Sequence, residues 1–252
     1  MITETETYLN SLSEDILTLS IESRDITSLP ALTLTRFKKL KEFYCSDNQL
    51  SSLPNTLPES LEILYCSNNQ LTSLPDLIRL KNLKKLYCSN NQLTSLPTTL
   101  PQGLEVLYCS NNQLTSLPDL IRLKNLKELY CYKNQLTFLP TTLPQSLEIL
   151  YCFDNQLTYL PNLPEKTVCP IYWNNPVCNI LDINNNSLIK VKENIQIVNN
   201  FRHLYDSLQF IRQFIKWLWK SREKQIMDKY HPNYLLENLE ENTDLDEFLI
   251  NW

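Results

Sequence analysis

The sequence of 252 residues predicts an α/β solenoid of short parallel strands, followed by a helical segment at its C-terminal end. Three observations predict this fold: a phrase that repeats along the chain, alternation of apolar and polar residues within each repeat, and a change to helical spacing near residue 192. Internal repeats of roughly 20 to 50 residues are typical of solenoids, because each unit buries its apolar face against its neighbours.

The repeating phrase is Leu-Tyr-Cys-Ser-Asn-Asn-Gln-Leu-Thr-Ser-Leu-Pro, which occurs unchanged at 64–75, 86–97 and 107–118. Variants with the same spacing lie at 43–54, 129–140 and 150–161. Two repeat types alternate, so the full unit is a pair of repeats that together span 43 residues. The regular spacing predicts that equivalent residues stack in columns along the solenoid.

Each repeat contains a period-2 pattern that predicts a short strand. Leu64, Cys66 and Leu71 are expected to point into the core, whereas Tyr65 and Ser67 point outward. An asparagine follows the cysteine three residues later. Its side-chain amide can hydrogen-bond the backbone of a buried turn as both donor and acceptor. The predicted asparagine ladder consists of Asn48, Asn69, Asn91, Asn112, Asn134 and Asn155. The proline that follows each last leucine prevents the strand from continuing.

These repeats fit the pattern L-x-x-L-x-(L/C)-x-x-N-x-L, seen for example from Leu61 to Leu71. On these residues the chain resembles the leucine-rich repeat family over roughly 16–190. The Leu-Pro-x-x-Leu-Pro units are similar to the short repeat type of bacterial effectors. The Tyr-Cys-x-x-Asn-Gln-Leu motif is similar to that of repeat proteins of giant viruses of the mimivirus group. The resemblance implies a leucine-rich repeat solenoid with its strands on the concave face.

Three segments are predicted: an N-terminal extension at 1–15, a solenoid with degenerate terminal repeats at 16–190, and a helical cap or tail at 191–252. The first repeat has Arg24 where asparagine belongs, and weak units surround Asn175 and Asn186. In the last segment, apolar residues recur at steps of three and four, as one helix face requires. These residues are Phe201, Leu204, Leu208, Ile211, Ile215 and Leu218. We favour a capping helix, with a membrane-surface or partner-binding helix as the alternative.

Composition argues against catalysis. The chain contains a single glycine, Gly103, and two histidines. It therefore has too few of these residues to form a phosphate-binding glycine loop or a histidine-based site. The six repeat cysteines are interpreted as small buried apolar residues: Cys45, Cys66, Cys88, Cys109, Cys131 and Cys152. The sequence therefore predicts no catalytic residues, metal or cofactor. Because no secretory signal or membrane span is recognisable, we expect an intracellular protein, in the host cytoplasm and not secreted.

A column of tyrosines is expected on the concave face, with serines beside it that become Tyr132 and Phe153 in later repeats. Aromatic residues are enriched where binding energy concentrates in protein interfaces. The candidate protein-binding residues are Tyr87, Tyr108, Tyr130, Tyr132, Tyr151 and Phe153, and the last four are predicted to contribute most. A further column alternates in charge from Lys41 to Glu148, which leaves the face neutral and disfavours a nucleic-acid partner.

Three functions remain open at the level of sequence. We favour a non-catalytic scaffold that binds a protein partner, such as a host protein, on the concave face. The second is an adaptor that recruits a host ubiquitin ligase or another effector through the helical tail. The third is a structural or virion-associated role. The sequence does not distinguish the last two from the first, and no feature identifies the partner.

Overall fold

A computed structural model of the chain describes residues 4–30, 34–179 and 188–230. The chain divides into two compact units, Met1–Asn199 and Asn200–Trp252. The first unit contains the repeats, and the second contains most of a long helix. Among the described residues, no helix is long and apolar enough to cross a membrane.

The first unit is built on one parallel sheet of eight strands in chain order. The strands are β1 (Thr18–Ser20), β2 (Glu42–Tyr44), β3 (Ile63–Tyr65), β4 (Lys85–Tyr87), β5 (Val106–Tyr108), β6 (Glu128–Tyr130), β7 (Ile149–Tyr151) and β8 (Cys169–Ile171). Equivalent residues pair between neighbours, so that Leu64 lies opposite Leu86 and Tyr65 opposite Tyr87. This register produces the columns that the repeat spacing predicts.

The core is a continuous stack of leucine and cysteine side chains along the sheet. In one repeat Leu64, Cys66 and Leu71 are each fully buried, as their alternation predicts. In the last repeat, Tyr172 follows β8 at the cysteine position and is buried, whereas the residues of β8 itself are only partly buried. Pro170 lies within β8, which is tolerated because β8 is an edge strand of the sheet. β8 keeps the register of β7 despite this proline.

The N-terminal end is covered by helix α1 (Glu4–Ser11), whose Leu9 is fully buried in the core. From the sequence, residues 1–15 were expected only to form an extension. The helix was not predicted, because this stretch has too few apolar residues to show a helical period. A short 3-10 helix at Leu34–Arg36 follows β1. The Arg24 guanidinium lies 4.3 Å from the ring centre of Tyr8, so a cation–π contact joins α1 to the first repeat.

At the other end, a 3-10 helix spans Pro176–Asn179 and helix α2 spans Leu188–Tyr230. Helix α2 begins three residues before the predicted boundary at 191. Val191 and Ile195 are buried within the first unit, and the Asn199 amide donates to the carbonyl of Leu160 at 3.0 Å. These first turns make the contacts expected of a capping helix. The predicted weak repeat around Asn186 and residues 231–252 of the predicted helical cap or tail lie outside the described residues.

Candidate functional site

The outward side of the sheet, the concave face of the predicted solenoid, carries parallel columns of side chains. Its central column consists of Tyr44, Tyr65, Tyr87, Tyr108, Tyr130 and Tyr151, one at the end of each strand from β2 to β7. Neighbouring ring centres lie 4.0 to 4.9 Å apart along the whole column. Each ring therefore contacts the next one along the column, and the sequence-predicted binding residues Tyr87, Tyr108, Tyr130 and Tyr151 are four successive members.

Two tyrosines near the middle of the column have raised pKa values. Burial, followed by a hydrogen bond with Tyr65, raises the pKa of Tyr87 well above its usual value. Burial likewise raises the pKa of Tyr108, with hydrogen bonds to Tyr130 and Glu128 as further causes. These two hydrogen-bonded pairs are also the closest ring pairs, at 4.0 Å each. This part of the column is thus a tightly stacked apolar strip with hydrogen-bonded hydroxyl groups.

A second column becomes aromatic in the last repeats, and we call it the aromatic stack: Tyr132, Phe153 and Trp173. The ring centres of Tyr132 and Phe153 lie 4.4 Å apart, and their planes differ by 6°. Phe153 and Trp173 stack in the same way, at 4.4 Å and 16°. Trp173 is still 52% exposed. Since side chains two residues apart on a strand share a face, about 7 Å apart, the stack lies beside Tyr130 and Tyr151.

Trp173 is a candidate residue that the sequence reasoning missed. It occupies the same position in its repeat as Phe153, because β8 is in register with β7. Two signals could have identified it: the Asn174-Asn175 pair that follows it, and the spacing of 20 residues from Phe153. The prolines at 170 and 176 obscured the repeat pattern. The aromatic stack therefore extends one repeat further than predicted.

A third column, at the first residue of each strand, also contributes and was not recognised from sequence. The Tyr108 hydroxyl donates to the Glu128 carboxylate at 3.1 Å, and Tyr44 donates to Glu42 at 3.2 Å. The Tyr151 hydroxyl lies 3.5 Å from the Cys169 thiol, a contact that raises the pKa of Tyr151. These partners fix the orientation of tyrosine rings that would otherwise rotate freely.

Beside the aromatic stack runs a column of residues with left-handed backbone, with φ between 51° and 55°. Its members are Ser23, Asp47, Asn68, Asn90, Asn111, Lys133, Asp154 and Asn174. Aspartate and asparagine tolerate this conformation better than other side chains, so a chain with one glycine uses them in its turns. Their amides link into an exposed chain, in which Asn90 donates to Asn68 and Asn111 donates to Asn90. Lys133 interrupts this chain of amides.

The asparagine ladder lies behind this column, in the interior. The Asn91 Oδ1 atom accepts from the backbone N–H of Leu71 at 3.0 Å. Its Nδ2 group donates to the carbonyls of Cys66 and Cys88, at 3.0 and 3.2 Å. The other five predicted members make equivalent bonds, and Asn175 adds a seventh position. Each amide therefore joins its own turn to the preceding repeat, which holds the outer columns in register.

The six repeat cysteines are fully buried and unpaired. Burial raises the pKa of the Cys88 thiol to about 12 and that of Cys66 well above its usual value. Such thiols stay protonated at neutral pH and behave as apolar core atoms. In the part of the chain that the structure describes, no cluster of three or more His, Cys, Asp or Glu side chains is placed to hold a metal.

The charged column beside the sheet forms ion pairs between neighbouring repeats. The Glu62 carboxylate lies 2.9 Å from the Lys41 ammonium and 2.8 Å from that of Lys84. Hydrogen bonds from Lys84 and Lys41 lower the pKa of Glu62 to about 2. Opposite charges therefore pair along the charged column. As a result, the tyrosine column is not bordered by a row of charges of the same sign.

Comparison with known proteins agrees with this architecture. A family model described as leucine-rich repeats in two copies matches residues 59–102 and 102–144. No curated protein sequence matches the chain. Residues 59–144 are thus leucine-rich repeats, and the described fold is an α/β leucine-rich repeat solenoid, as the sequence predicted.

Three solved structures are similar over part of the chain. YopM, a leucine-rich effector protein from Yersinia pestis, is 34% identical over 63% of this chain and 49% of that one, with a TM-score of 0.57. A functional domain of InlJ from Listeria monocytogenes, which includes a cysteine ladder, is 30% identical over 57% and 31%, with a TM-score of 0.53. A Shigella effector leucine-rich repeat domain is 31% identical over 58% and 62%, with a TM-score of 0.50.

The chain spans less than two thirds of each of these three structures. The shared fold generally serves as a non-catalytic scaffold for protein interactions. A protein partner is therefore the kind of ligand that the fold suggests.

Proposed function

We propose that the solenoid binds a protein partner on its concave face, through the aromatic stack and the two tyrosines beside it. We call this set the aromatic patch: Tyr130, Tyr132, Tyr151, Phe153 and Trp173. The observation that supports it most is the stacking of Tyr132, Phe153 and Trp173 at 4.4 Å with Trp173 half-exposed. Rigid aromatic surface of this kind loses little conformational entropy on binding.

The patch has the properties of an interface centre. Its rings are immobilised by stacking, and the Tyr151 hydroxyl has a partner in Cys169. Lys133 and Asp154 border it in the left-handed column, where the earlier repeats have Ser23, Asp47 or asparagine. A rigid aromatic centre with a mixed-charge rim is typical of specific protein interfaces. The earlier repeats offer the tyrosine column alone.

Two finer points belong to the same proposal. We propose a host protein as the partner, because the repeat sequence resembles that of giant-virus repeat proteins. An intracellular location is consistent with the eight unpaired cysteines among the described residues.

The test compares two variants that restore the serine found in other repeats. Tyr132→Ser with Phe153→Ser removes two rings from the patch. Phe138→Ser is the matched control, because Phe138 is 47% exposed in the same repeat as Tyr132 but lies outside the outward strand columns. Affinity purification with quantitative mass spectrometry should identify a protein retained by the wild type and by Phe138→Ser, and lost from the double variant. A set of captured proteins that is identical for all three would refute the assignment.

A further inference from the structure

Helix α2 carries two different apolar faces. Ile195 is 2% exposed and packs within the first unit, whereas Ile197 is 52% exposed. Because each helical residue advances by about 100°, positions two apart lie on nearly opposite sides. The capping contacts end at Asn199, whose amide bonds to Leu160 and Asn162. The first apolar face is therefore the one that contains Ile195 and packs within the first unit. The second apolar face contains Ile197 and is exposed.

The second face follows alternating steps of four and three residues, and we call it the seam. Its members are Ile197, Phe201, Leu204, Leu208, Ile211, Ile215 and Leu218. This spacing is that of successive a and d positions over three heptads, the pattern of a coiled coil. The structure describes the side chains of the first five, and all are exposed, from 48% for Leu208 to 68% for Phe201. Every seam position is apolar and uncharged.

The seam is large enough to support a stable contact. Full burial of a Leu or Ile side chain removes on the order of 100 Å² of apolar surface from water. The five positions whose side chains are described would therefore bury up to about 1,000 Å² on two helices together. A specific protein interface buries at least about 1,000 Å² in total. The exposed surface thus matches what one further helix of the same kind would cover.

We propose that the chain self-associates by pairing this seam with the same seam of a second copy. A parallel pair places Ser207 opposite Arg212 at the flanking positions, so no like charges meet beside the seam. The chain's own residues 231–252 fit less well as an occupant. They contain Leu235, Leu239 and Leu249, but their alternating spacing is broken by Asn242 and Asp246. The seam is complementary to itself over its whole length.

The test measures the molar mass of the full chain by light scattering and sedimentation equilibrium. The wild type should have at least twice the 29.7 kDa of one chain at micromolar concentration. Leu204→Glu with Ile211→Glu places charge in the seam, and should raise the dissociation constant at least 100-fold. The matched control is Phe210→Glu with Trp217→Glu, which changes two exposed apolar residues off the seam, at 69% and 62% exposure. This control should remain associated.

Two further variants cover the other outcomes. Leu204→Ala with Ile211→Ala should weaken association by a smaller factor without introducing charge, and thermal melting of the solenoid checks that it is folded. Deletion of residues 231–252 should leave the association intact. A monomeric wild type, a seam variant as associated as its control, or association that occurs only after the deletion would each overturn the proposal. The last result would show that the chain's own end covers the seam.

Discussion

The two halves of the concave face share one core but differ on their outer surface. In the first half, Ser67 and Ser89 stand beside the tyrosine column, and the asparagine amides of the left-handed column link from repeat to repeat. In the second half, the aromatic stack replaces the serines, and Lys133 interrupts the amides. Behind both halves, the leucine, cysteine and asparagine positions are the same in every repeat from β3 to β7. The surface of this solenoid can therefore change without disturbing the residues that hold it together.

If the core is the same in both halves, its thiols should respond alike to alkaline pH. The folded-state pKa of the buried cysteines is raised, so the folded chain keeps protons that the unfolded chain releases above about pH 8.5. The unfolded state then binds fewer protons, and stability falls as pH rises. At pH 9.5 each thiol should lower the unfolding free energy by about 1.4 kcal/mol, and six together by up to about 8 kcal/mol.

Urea denaturation at pH 7.5 and 9.5 measures this loss. Cys66→Ala and Cys152→Ala, one from each half, should each reduce the loss by about 1.4 kcal/mol, although both lower stability at pH 7.5. A pH dependence that neither variant changes would show that these thiols titrate normally, and unequal changes would show that the halves differ in burial.

The asparagine ladder provides the second comparison between the halves. Asn91→Ala and Asn155→Ala each leave a backbone N–H and several carbonyls without a partner in the interior. Each should lower the unfolding free energy by about 3 kcal/mol. The matched control is Asn90→Ala, which removes an exposed amide and places alanine in the left-handed region, at about 1 kcal/mol. Equal losses for Asn90 and Asn91 in urea denaturation would contradict a structural role for the buried ladder.

The smallest effect concerns Lys133. It holds a left-handed backbone, at φ 52°, that asparagine adopts more easily. Lys133→Asn should therefore raise the unfolding free energy by about 0.5 to 1 kcal/mol and weaken partner binding if this position belongs to the rim. Asn111→Lys is the reciprocal variant and should lower stability by a similar amount. Stabilisation without any change in binding would remove Lys133 from the proposed site.

The sequence predicted the parts of this structure that repetition makes visible. Strand positions such as Leu64 and Cys66 follow from period-2 alternation, which burial of one sheet face enforces. Helix α1 was not predicted, because Leu9 is its one buried residue. A single apolar position does not produce the spacing of three and four residues that indicates a helix. Trp173 was missed because Pro170 breaks the strand pattern, and an edge strand tolerates a proline that an inner strand does not.

The candidate site was only partly visible for a different reason. Sequence spacing places Tyr108 and Tyr130 in one column, but it does not show that their rings approach to 4.0 Å or that Tyr108 donates to Glu128. Those contacts depend on side-chain rotation, which the backbone register leaves free. The seam of helix α2 was visible as a period, while its exposure beyond Asn199 required the structure.

In the proposed function, the aromatic patch, and not the tyrosine column alone, selects the partner. Isothermal titration of the purified partner against Tyr132→Ser with Phe153→Ser, and against Phe138→Ser, distinguishes the two surfaces. We expect at least a tenfold loss of affinity for the double variant, about 1.4 kcal/mol, with Phe138→Ser within twofold of the wild type. An unchanged affinity in a double variant that melts at the wild-type temperature would contradict it.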